Sequence, residues 1–197
     1  MSDKKVLYFD VETTGLDPVK HDIVQIAGLV EINGEVKEEF EFKARPLGKE
    51  EDVSQEALDI HGYTLESIRE FPEARETYNK LTALFGKYID KYNKADKFTP
   101  AGYNVGFDMN FLKEFFNKNG DVYFGSWLNW KKVDPLPLLY FLDYSDRVSL
   151  SNYRLVTVCE HFGVKIDAHD ALSDIKATRE VLKILRDKYL IEEEVVF

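Results

Sequence analysis

Apolar and polar positions near the start of the chain follow the two-residue period of β-strands. Residues 5–11 are rich in β-branched and aromatic side chains and predict a central strand. Residues 22–31 predict a second strand, and residues 35–44, where apolar and charged side chains alternate, predict a third. Asn33 and Gly34 separate these two strands and form a strong hairpin signal, so we expect the strands to pair antiparallel.

The rest of the chain shows mainly helical periodicity. Six segments carry apolar residues at the spacing of one helix face: residues 54–60, 72–92, 107–117, 136–142, 151–162 and 171–189. Two further strands are predicted between them, at residues 98–103 and 127–133. A meander of strands followed by alternating strands and helices is typical of an α/β fold with a mixed sheet. We therefore predict a five-stranded mixed sheet flanked by helices on both faces, in a single domain over residues 1–197.

Length, composition and charge exclude several classes of protein. A chain of 197 residues with 44% hydrophobic residues is long enough for one well-buried domain. No apolar run reaches the roughly 18 to 20 residues of a membrane helix, and the start of the chain lacks a signal-peptide pattern. The single cysteine, Cys159, excludes an internal disulfide and favours a cytoplasmic location. The net charge of −10 argues against a broad nucleic-acid-coating surface, but it allows a cleft in which metal ions neutralise a few phosphates.

The first candidate site residues lie at the end of the first strand. Asp10 and Glu12 are two residues apart, so both side chains project from the same face of the strand. One interpretation is an edge pair that is hydrogen-bonded to the following turn. The end of a buried strand is also where ligand sites gather in α/β sheets, and we favour that functional interpretation.

Two later acids and one histidine extend this set. Asp108 falls at the start of a predicted helix, where it could be either a structural helix-start acid or a ligand. Asp174 lies on the apolar stripe of the last predicted helix, where an ionised acid needs a partner. His169 precedes that helix and is expected on a loop that faces the same cleft. Carboxylates brought together in a buried place are tolerable when a divalent cation compensates their charge. These residues predict a metal-dependent enzyme that acts on phosphate esters.

Four segments that contain these residues resemble the DnaQ-like family of 3′–5′ exonucleases, in the group called DEDDh within the ribonuclease H-like fold. The segments are FDVETTGL, DIHGYT, YNVGFDMNFL and HDALSDIKAT, and they occur in the family order over almost the whole chain. The other branch of the family carries tyrosine four residues before the last acid, whereas this chain has Asp170 there and a histidine at position 169. The family includes the epsilon proofreading subunit of DNA polymerase III. Tyr103 departs from the proofreading relatives, which often have histidine at that position.

The resemblance implies roles for particular residues. Asp10, Glu12, Asp108 and Asp174 would hold two divalent cations, Mg²⁺ or Mn²⁺, and His169 would act as general base. The residues that the resemblance places against the terminal nucleotide are Val11, Thr13, Leu16, His61 and Phe107. The implied reaction is release of nucleoside 5′-monophosphates from a 3′ end.

The substrate and the partners are less well defined by the sequence. We favour single-stranded DNA, cut by a freestanding enzyme or by one that proofreads for a DNA polymerase partner. An exoribonuclease acting on RNA 3′ ends or short oligomers is one alternative, and a non-catalytic module that binds a replication partner is another. Aromatic and basic side chains between residues 143 and 154 are candidate strand contacts: Tyr144, Arg147, Tyr153 and Arg154. For the two tyrosines we favour helix packing over strand contact.

Overall fold

The computed structural model describes residues 3–167 and 171–190 as an α/β structure built around one sheet. The four strands are Lys5–Thr13 (β1), Ile23–Ile32 (β2), Glu35–Lys43 (β3) and Thr99–Ala101 (β4). The helices are Gln55–His61 (α1), Leu65–Arg69 (α2), Ala74–Gly86 (α3), Gly106–Lys118 (α4), Pro135–Tyr144 (α5), Leu155–Phe162 (α6) and Ala171–Leu185 (α7), and Arg186–Leu190 adds a π-helical turn. Within the described residues, no helix is both long enough and apolar enough to cross a bilayer.

The sheet is mixed, as predicted, and its order is β3-β2-β1-β4. Strands β1, β2 and β3 pair antiparallel, and the hairpin turn at Asn33 and Gly34 has positive φ at both residues. Strand β4 pairs parallel with β1, from Val6 opposite Thr99 to Tyr8 opposite Ala101. Strand β1 therefore extends beyond its parallel neighbour, and its carboxyl end is free on that side to meet other elements.

The predicted fifth strand is wrong, because residues 127–133 form only two isolated bridges beside β4. Leu128 pairs with Phe98 and Val133 pairs with Ala101. Between these bridges the chain bends, and the Asn129 side chain accepts a hydrogen bond from the Lys131 backbone N–H. Such a local side-chain bond competes with a continuous ladder. The sheet described here therefore has four strands.

Helices cover both faces of the sheet, as predicted. Because side chains alternate along β1, Leu7, Phe9 and Val11 face one core, which includes residues of α3 and α4. Val6 and Tyr8 face the opposite side, where α7 packs. Asp10 and Glu12 continue this second set, so both acids project toward the side on which α7 lies.

Three predicted helices are shorter than the periodicity indicated. The helix predicted at 72–92 ends at Gly86, and beyond it Asp90, Asn93 and Asp96 accept hydrogen bonds from loop backbone N–H groups. The helix predicted at 151–162 begins at Leu155, and regular α-helix in the segment predicted at 171–189 ends at Leu185. A further helix, α2, was not predicted and begins with a capping box formed by Thr64 and Ser67.

Candidate active site

A hydrogen bond joins the carboxyl end of β1 to the first turn of α4. The Val11 backbone N–H donates to Oδ1 of Asp108 at 3.1 Å. This N–H lies beyond the last residue of β1 that pairs with β4, so the sheet leaves it available. Gly102, directly after β4, allows that segment to lie close to β1, since a Cβ there would lie 2.9 Å from the Phe9 carbonyl oxygen. Asp108 is thereby buried, with 3% of its surface exposed, and fixed beside the end of β1.

The four predicted carboxylates lie close enough to interact electrostatically. Burial raises the pKa of Asp10 well above its usual value, and the charges of Asp108, Glu12 and Asp174 raise it further. Burial also raises the pKa of Asp108 to about 7, although its hydrogen bond from Val11 acts in the opposite direction. Acids from β1, α4 and α7 therefore destabilise one another's charged forms in the absence of a cation.

The chemistry of this donor set suits divalent cations. Carboxylate oxygens are the ligands that Mg²⁺ prefers, and Mg²⁺ sites in phosphate enzymes use one or two carboxylates together with substrate oxygens and water. Among the residues that the structure describes, no group of three or more acidic, histidine or cysteine side chains is arranged to hold an ion by itself. The described carboxylates therefore supply the type of donor that such ions prefer, without forming a complete coordination shell.

A first cavity of about 240 Å³ opens beside these acids. All five residues that the resemblance assigned to the terminal nucleotide line it, together with Glu12: Val11, Thr13, Leu16, His61 and Phe107. Leu16 is 80% exposed, so its side chain is free to contact a ligand. The cavity has the concave, mainly apolar character of a small-molecule site.

His61 is held in the wall of the first cavity by two neighbours. Its Nε2 lies 3.3 Å from the Thr13 carbonyl oxygen, and its ring lies 4.9 Å from that of Tyr63. Burial lowers the pKa of His61, so the neutral imidazole is favoured at neutral pH. A neutral ring can contact a base or a sugar without adding charge beside the acids.

Besides Gly15, the sequence did not identify four residues that line the first cavity: Ser54, Glu56, Ala57 and Ile60. They lie on α1 or at its N-cap, where the Ser54 hydroxyl accepts a hydrogen bond from the Ala57 N–H. The capping serine and the following helical spacing signal such a helix. Only the fold, however, brings its N-terminal end against β1, through the hydrogen bond from the Ser54 N–H to the Thr14 carbonyl.

A second cavity of about 160 Å³ lies between β1 and α7. Its lining includes Asp10, Asp174, Tyr103 and Thr178. Burial raises the pKa of Tyr103, and its hydroxyl donates to the backbone oxygen of Tyr153. Tyr103, the residue that departs from the proofreading relatives, is thus neutral and close to two of the acids.

The remaining predicted residues divide into two groups. His169, the predicted general base, lies outside the described residues. The candidate strand contacts line neither cavity: Tyr144, Arg147, Tyr153 and Arg154. Tyr153 packs its ring against Tyr140, in agreement with the helix-packing interpretation for that tyrosine.

Comparison with known proteins identifies the family of the chain. The family model described as "RNase_T: Exonuclease" matches residues 7–182. The chain is 31% identical over 181 residues to a DNA polymerase III of the PolC type from Halalkalibacterium halodurans, and 30% identical over 193 residues to the one from Oceanobacillus iheyensis. These alignments cover 91% and 95% of this chain but only 11% and 12% of the two polymerases.

Solved structures share the fold. The zinc-bound form of an E. coli ExoI–ssDNA complex superimposes with a TM-score of 0.77 at 21% identity, over 95% of this chain and 41% of the other. E. coli exonuclease I in complex with a dA16 oligonucleotide gives a TM-score of 0.75 at 21% identity, over 93% of this chain and 41% of the other.

Proposed function

The chain belongs to the RNase_T exonuclease family, a DnaQ-like family with a ribonuclease H-like fold, and from that premise we propose that it is a metal-dependent 3′–5′ exonuclease. The proposed reaction releases nucleoside 5′-monophosphates from the 3′ end of single-stranded DNA. One observation carries the proposal: carboxylates from three elements lie close enough to interact, with Glu12 in the lining of the first cavity and Asp10 and Asp174 in the lining of the second. We further propose that residues 1–197 act as a single exonuclease domain.

In this proposal Asp10, Glu12, Asp108 and Asp174 hold two divalent cations, Mg²⁺ or Mn²⁺. Bound there, such ions would lower the pKa of an attacking water and offset the negative charge on the leaving 3′ oxygen. The raised pKa of Asp10 supports the assignment, because this carboxyl group is surrounded by acids and needs compensating positive charge.

The protein groups position the substrate and move one proton. The terminal nucleotide occupies the first cavity, with Leu16 and Phe107 against its base and with the backbones of Val11 and Thr13 near its 3′ end. His61 contacts it as a neutral imidazole. His169 removes the proton from the attacking water, a role that suits a side chain with an unperturbed pKa near 6.5.

The choice of DNA over RNA is supported by the polymerase relatives. The matched polymerases are DNA polymerases, and this chain aligns with about a tenth of their length. That context favours either a proofreading partner or a freestanding relative of a proofreading domain. Release of mononucleotides from end-labelled DNA and RNA oligomers of the same sequence tests the choice. Faster degradation of the RNA would replace this substrate with the exoribonuclease alternative.

The enzyme itself is tested by release of nucleoside 5′-monophosphate with Mg²⁺ and with a chelator. We expect Asp10→Asn and Asp174→Asn to abolish hydrolysis while the far-ultraviolet circular dichroism stays unchanged. Glu39→Gln is a matched control, because it removes an exposed acid on β3 that pairs with Lys176 away from both cavities. Full turnover by either aspartate variant would refute the assigned ligands, and the absence of any turnover in the wild type would favour the non-catalytic module.

The proton-transfer role of His169 has its own test. Replacing it with alanine should lower kcat by about 10²–10⁴, the usual contribution of a positioned general base. In the His169→Ala enzyme, the decrease in rate at acid pH that reports protonation of the general base should disappear from the pH–rate profile. His161→Ala, which changes a histidine on α6, serves as the control. A His169→Ala enzyme with the wild-type rate and profile would exclude the role.

A further inference from the structure

Helix α5 exposes a strip of apolar side chains on its outer face. Pro135, Leu139 and Leu142 face the core. The opposite face carries residues at the spacing i, i+3, i+4 and i+7, and we call them the α5 strip: Pro137, Tyr140, Phe141 and Tyr144. Tyr140, Phe141 and Tyr144 are 53%, 64% and 85% exposed. A helix that is apolar on both faces is normally buried, so a strip of this kind marks a binding surface.

The α5 strip is continuous with the candidate active site. The ring of Tyr140 meets the ring of Tyr153 edge-on, with 5.1 Å between centroids. The Tyr153 backbone oxygen accepts the hydroxyl of Tyr103, and Tyr103 lines the second cavity with Asp10 and Asp174. Two contacts therefore connect Tyr140 of the strip to Tyr103, a residue that lines the same cavity as two of the carboxylates.

Two cations lie beyond the far end of α5. Arg147 follows Tyr144 by three residues, and its guanidinium lies 5.0 Å from the ring centroid of Tyr189. The Lys188 ammonium lies 5.2 Å from the same ring. Within residues 3–167 and 171–190, neither cation forms a salt bridge with a carboxylate. Because both cations lie beside the ring of Tyr189, they can contact the same anionic ligand.

We propose that the α5 strip, Arg147 and Lys188 form the path of the substrate strand upstream of the bond that is cut. This inference rests on the proposed exonuclease function and names where its substrate lies. Successive bases stack on the aromatic side chains, and the two cations contact backbone phosphates, the combination by which proteins bind single strands without sequence preference. Pro137 and Tyr144 are about 10 Å apart along the helix axis, which accommodates about three stacked bases.

Charged residues next to the α5 strip determine where the phosphates of the strand lie. Asp143 lies on α5 and repels an anion from that part of the helix, whereas Asp146 directly precedes Arg147 and offsets part of its charge. A phosphate is therefore expected near Tyr189, where Arg147 and Lys188 meet, and not along the middle of α5. The aromatic rings contribute to binding through the bases, which carry no charge.

The stacking part of the proposal is tested by the dependence of hydrolysis on substrate length. The measured quantity is the ratio of kcat/KM for a 12-nucleotide DNA to that for a dinucleotide. Phe141→Ala and Tyr144→Ala should each lower this ratio about 5- to 150-fold, the contribution of one stacked base. Tyr92→Ala is the matched control, because Tyr92 is 86% exposed and lies outside the strip.

The electrostatic part is tested by the dependence of affinity on salt. The measured quantity is the association constant for a 12-nucleotide single-stranded DNA at several salt concentrations. Arg147→Gln and Lys188→Gln should each reduce the magnitude of the slope of its logarithm against log salt by about 0.7, the value for one phosphate contact on a single strand. Lys94→Gln, which removes an exposed cation elsewhere, should leave the slope unchanged. Equal slopes for all of these variants and the wild type would overturn the phosphate contacts.

Failure of the path and failure of the proposed function give different results. If the wild type releases no nucleotide, the proposed function fails, and fluorescence anisotropy of a labelled 12-nucleotide DNA then tests the path alone. Weaker binding by Phe141→Ala than by Tyr92→Ala supports the path, and equal binding overturns it. An unchanged length ratio, combined with altered sedimentation of the strip variants, would instead identify the strip as an interface between protein copies and overturn the proposal.

Discussion

Asp108 shows how one residue serves both the fold and the candidate chemistry. Its carboxylate accepts the Val11 N–H, which stabilises the junction of β1 and α4. Its charge, however, is costly at this buried position, because burial raises its pKa to about 7. The hydrogen bond needs only an acceptor oxygen, whereas cation binding needs the negative charge. The two roles can therefore be separated by mutation.

We predict that Asp108→Asn raises the melting temperature of the metal-free protein at pH 8. The amide oxygen can still accept the Val11 N–H, and the unfavourable buried charge is gone. Each kcal/mol gained corresponds to about 2–4 °C for a protein of this size. Asp108→Ala should lower the melting temperature, because it leaves the Val11 N–H without its acceptor. Differential scanning fluorimetry in a chelator checks both, and an asparagine variant less stable than the wild type would contradict the argument.

We predict that neither Asp108→Asn nor Asp108→Ala retains nuclease activity. Mononucleotide release by Asp108→Asn should fall to background even though the protein is more stable. A variant that is stabilised and fully active would show that the carboxylate charge at position 108 is not needed for cation binding.

At the scale of single elements, the short helix α1 positions four side chains of the first cavity. Its N-cap residue, Ser54, accepts from the Ala57 N–H and donates its own N–H to Thr14. The helix ends at Gly62, which takes the left-handed conformation with φ of 74°. A seven-residue helix is marginal by itself, so these terminal contacts determine how well it is held.

We predict that Ser54→Ala destabilises the protein by about 0.5–2 kcal/mol, the usual cost of losing an N-cap, and raises KM. The matched control is Thr64→Ala, which removes the N-cap of the neighbouring helix α2. The control should lose similar stability, measured by urea unfolding, without a change in KM. Equal changes in KM for the two variants would mean that α1 does not shape the substrate site.

The elements also show which features of the fold the sequence alone could predict. Alternation and the Asn33–Gly34 signal predicted the hairpin correctly, because its register is determined by local turn geometry. The placement of Asp10 at a strand end and of Asp108 at a helix start was likewise predicted from local patterns. The fifth strand was wrong because the bend at Asn129 depends on one side-chain hydrogen bond, which the apolar pattern does not reveal.

Residues of the site that were missed depend on contacts between distant segments. Ser54 and Ile60 line the first cavity only because α1 packs against the end of β1. Because these segments are far apart in the sequence, the periodicity of apolar residues within each one does not reveal that they pack together. Their position follows from the packing of the whole chain.

At the scale of the whole molecule, a sheet with helices on both faces directs three separate segments toward one place. Strand β1 supplies two acids, α4 supplies one from one face and α7 supplies another from the opposite face. This convergence concentrates acidic groups in one place of a chain whose net charge is −10. The stability of the molecule should therefore depend on pH and on divalent cations together.

We predict that the melting temperature of the metal-free protein falls as pH rises from about 5.5 to 8. The pKa values of Asp10 and Asp108 are raised in the folded state, so their contribution to stability is present at low pH and is lost as pH rises through about 7. Exposed acids with lowered pKa, such as Glu35 and Glu50, act in the opposite direction but titrate below this range. His61, whose pKa burial lowers, acts in the opposite direction within this range and so reduces the fall in melting temperature.

Addition of Mg²⁺ or Mn²⁺ should raise the melting temperature more at pH 8 than at pH 5.5, because the cation binds the charged carboxylates. Asp10→Asn provides the control and should show a smaller response to the metal. A melting temperature in chelator that rises steadily up to pH 8 would contradict the prediction.

The hydrogen bond between the Val11 N–H and Asp108 has a consequence for the evolution of this domain. A lineage that abandoned catalysis would be free to change positions 10 and 174 to many residues, but position 108 would still have to supply an oxygen to the end of β1. Inactive copies of this domain should therefore carry aspartate, asparagine, serine or threonine at position 108 after the other acids have been replaced. Inactive descendants would keep a trace of the lost site in the residue that also stabilises the fold.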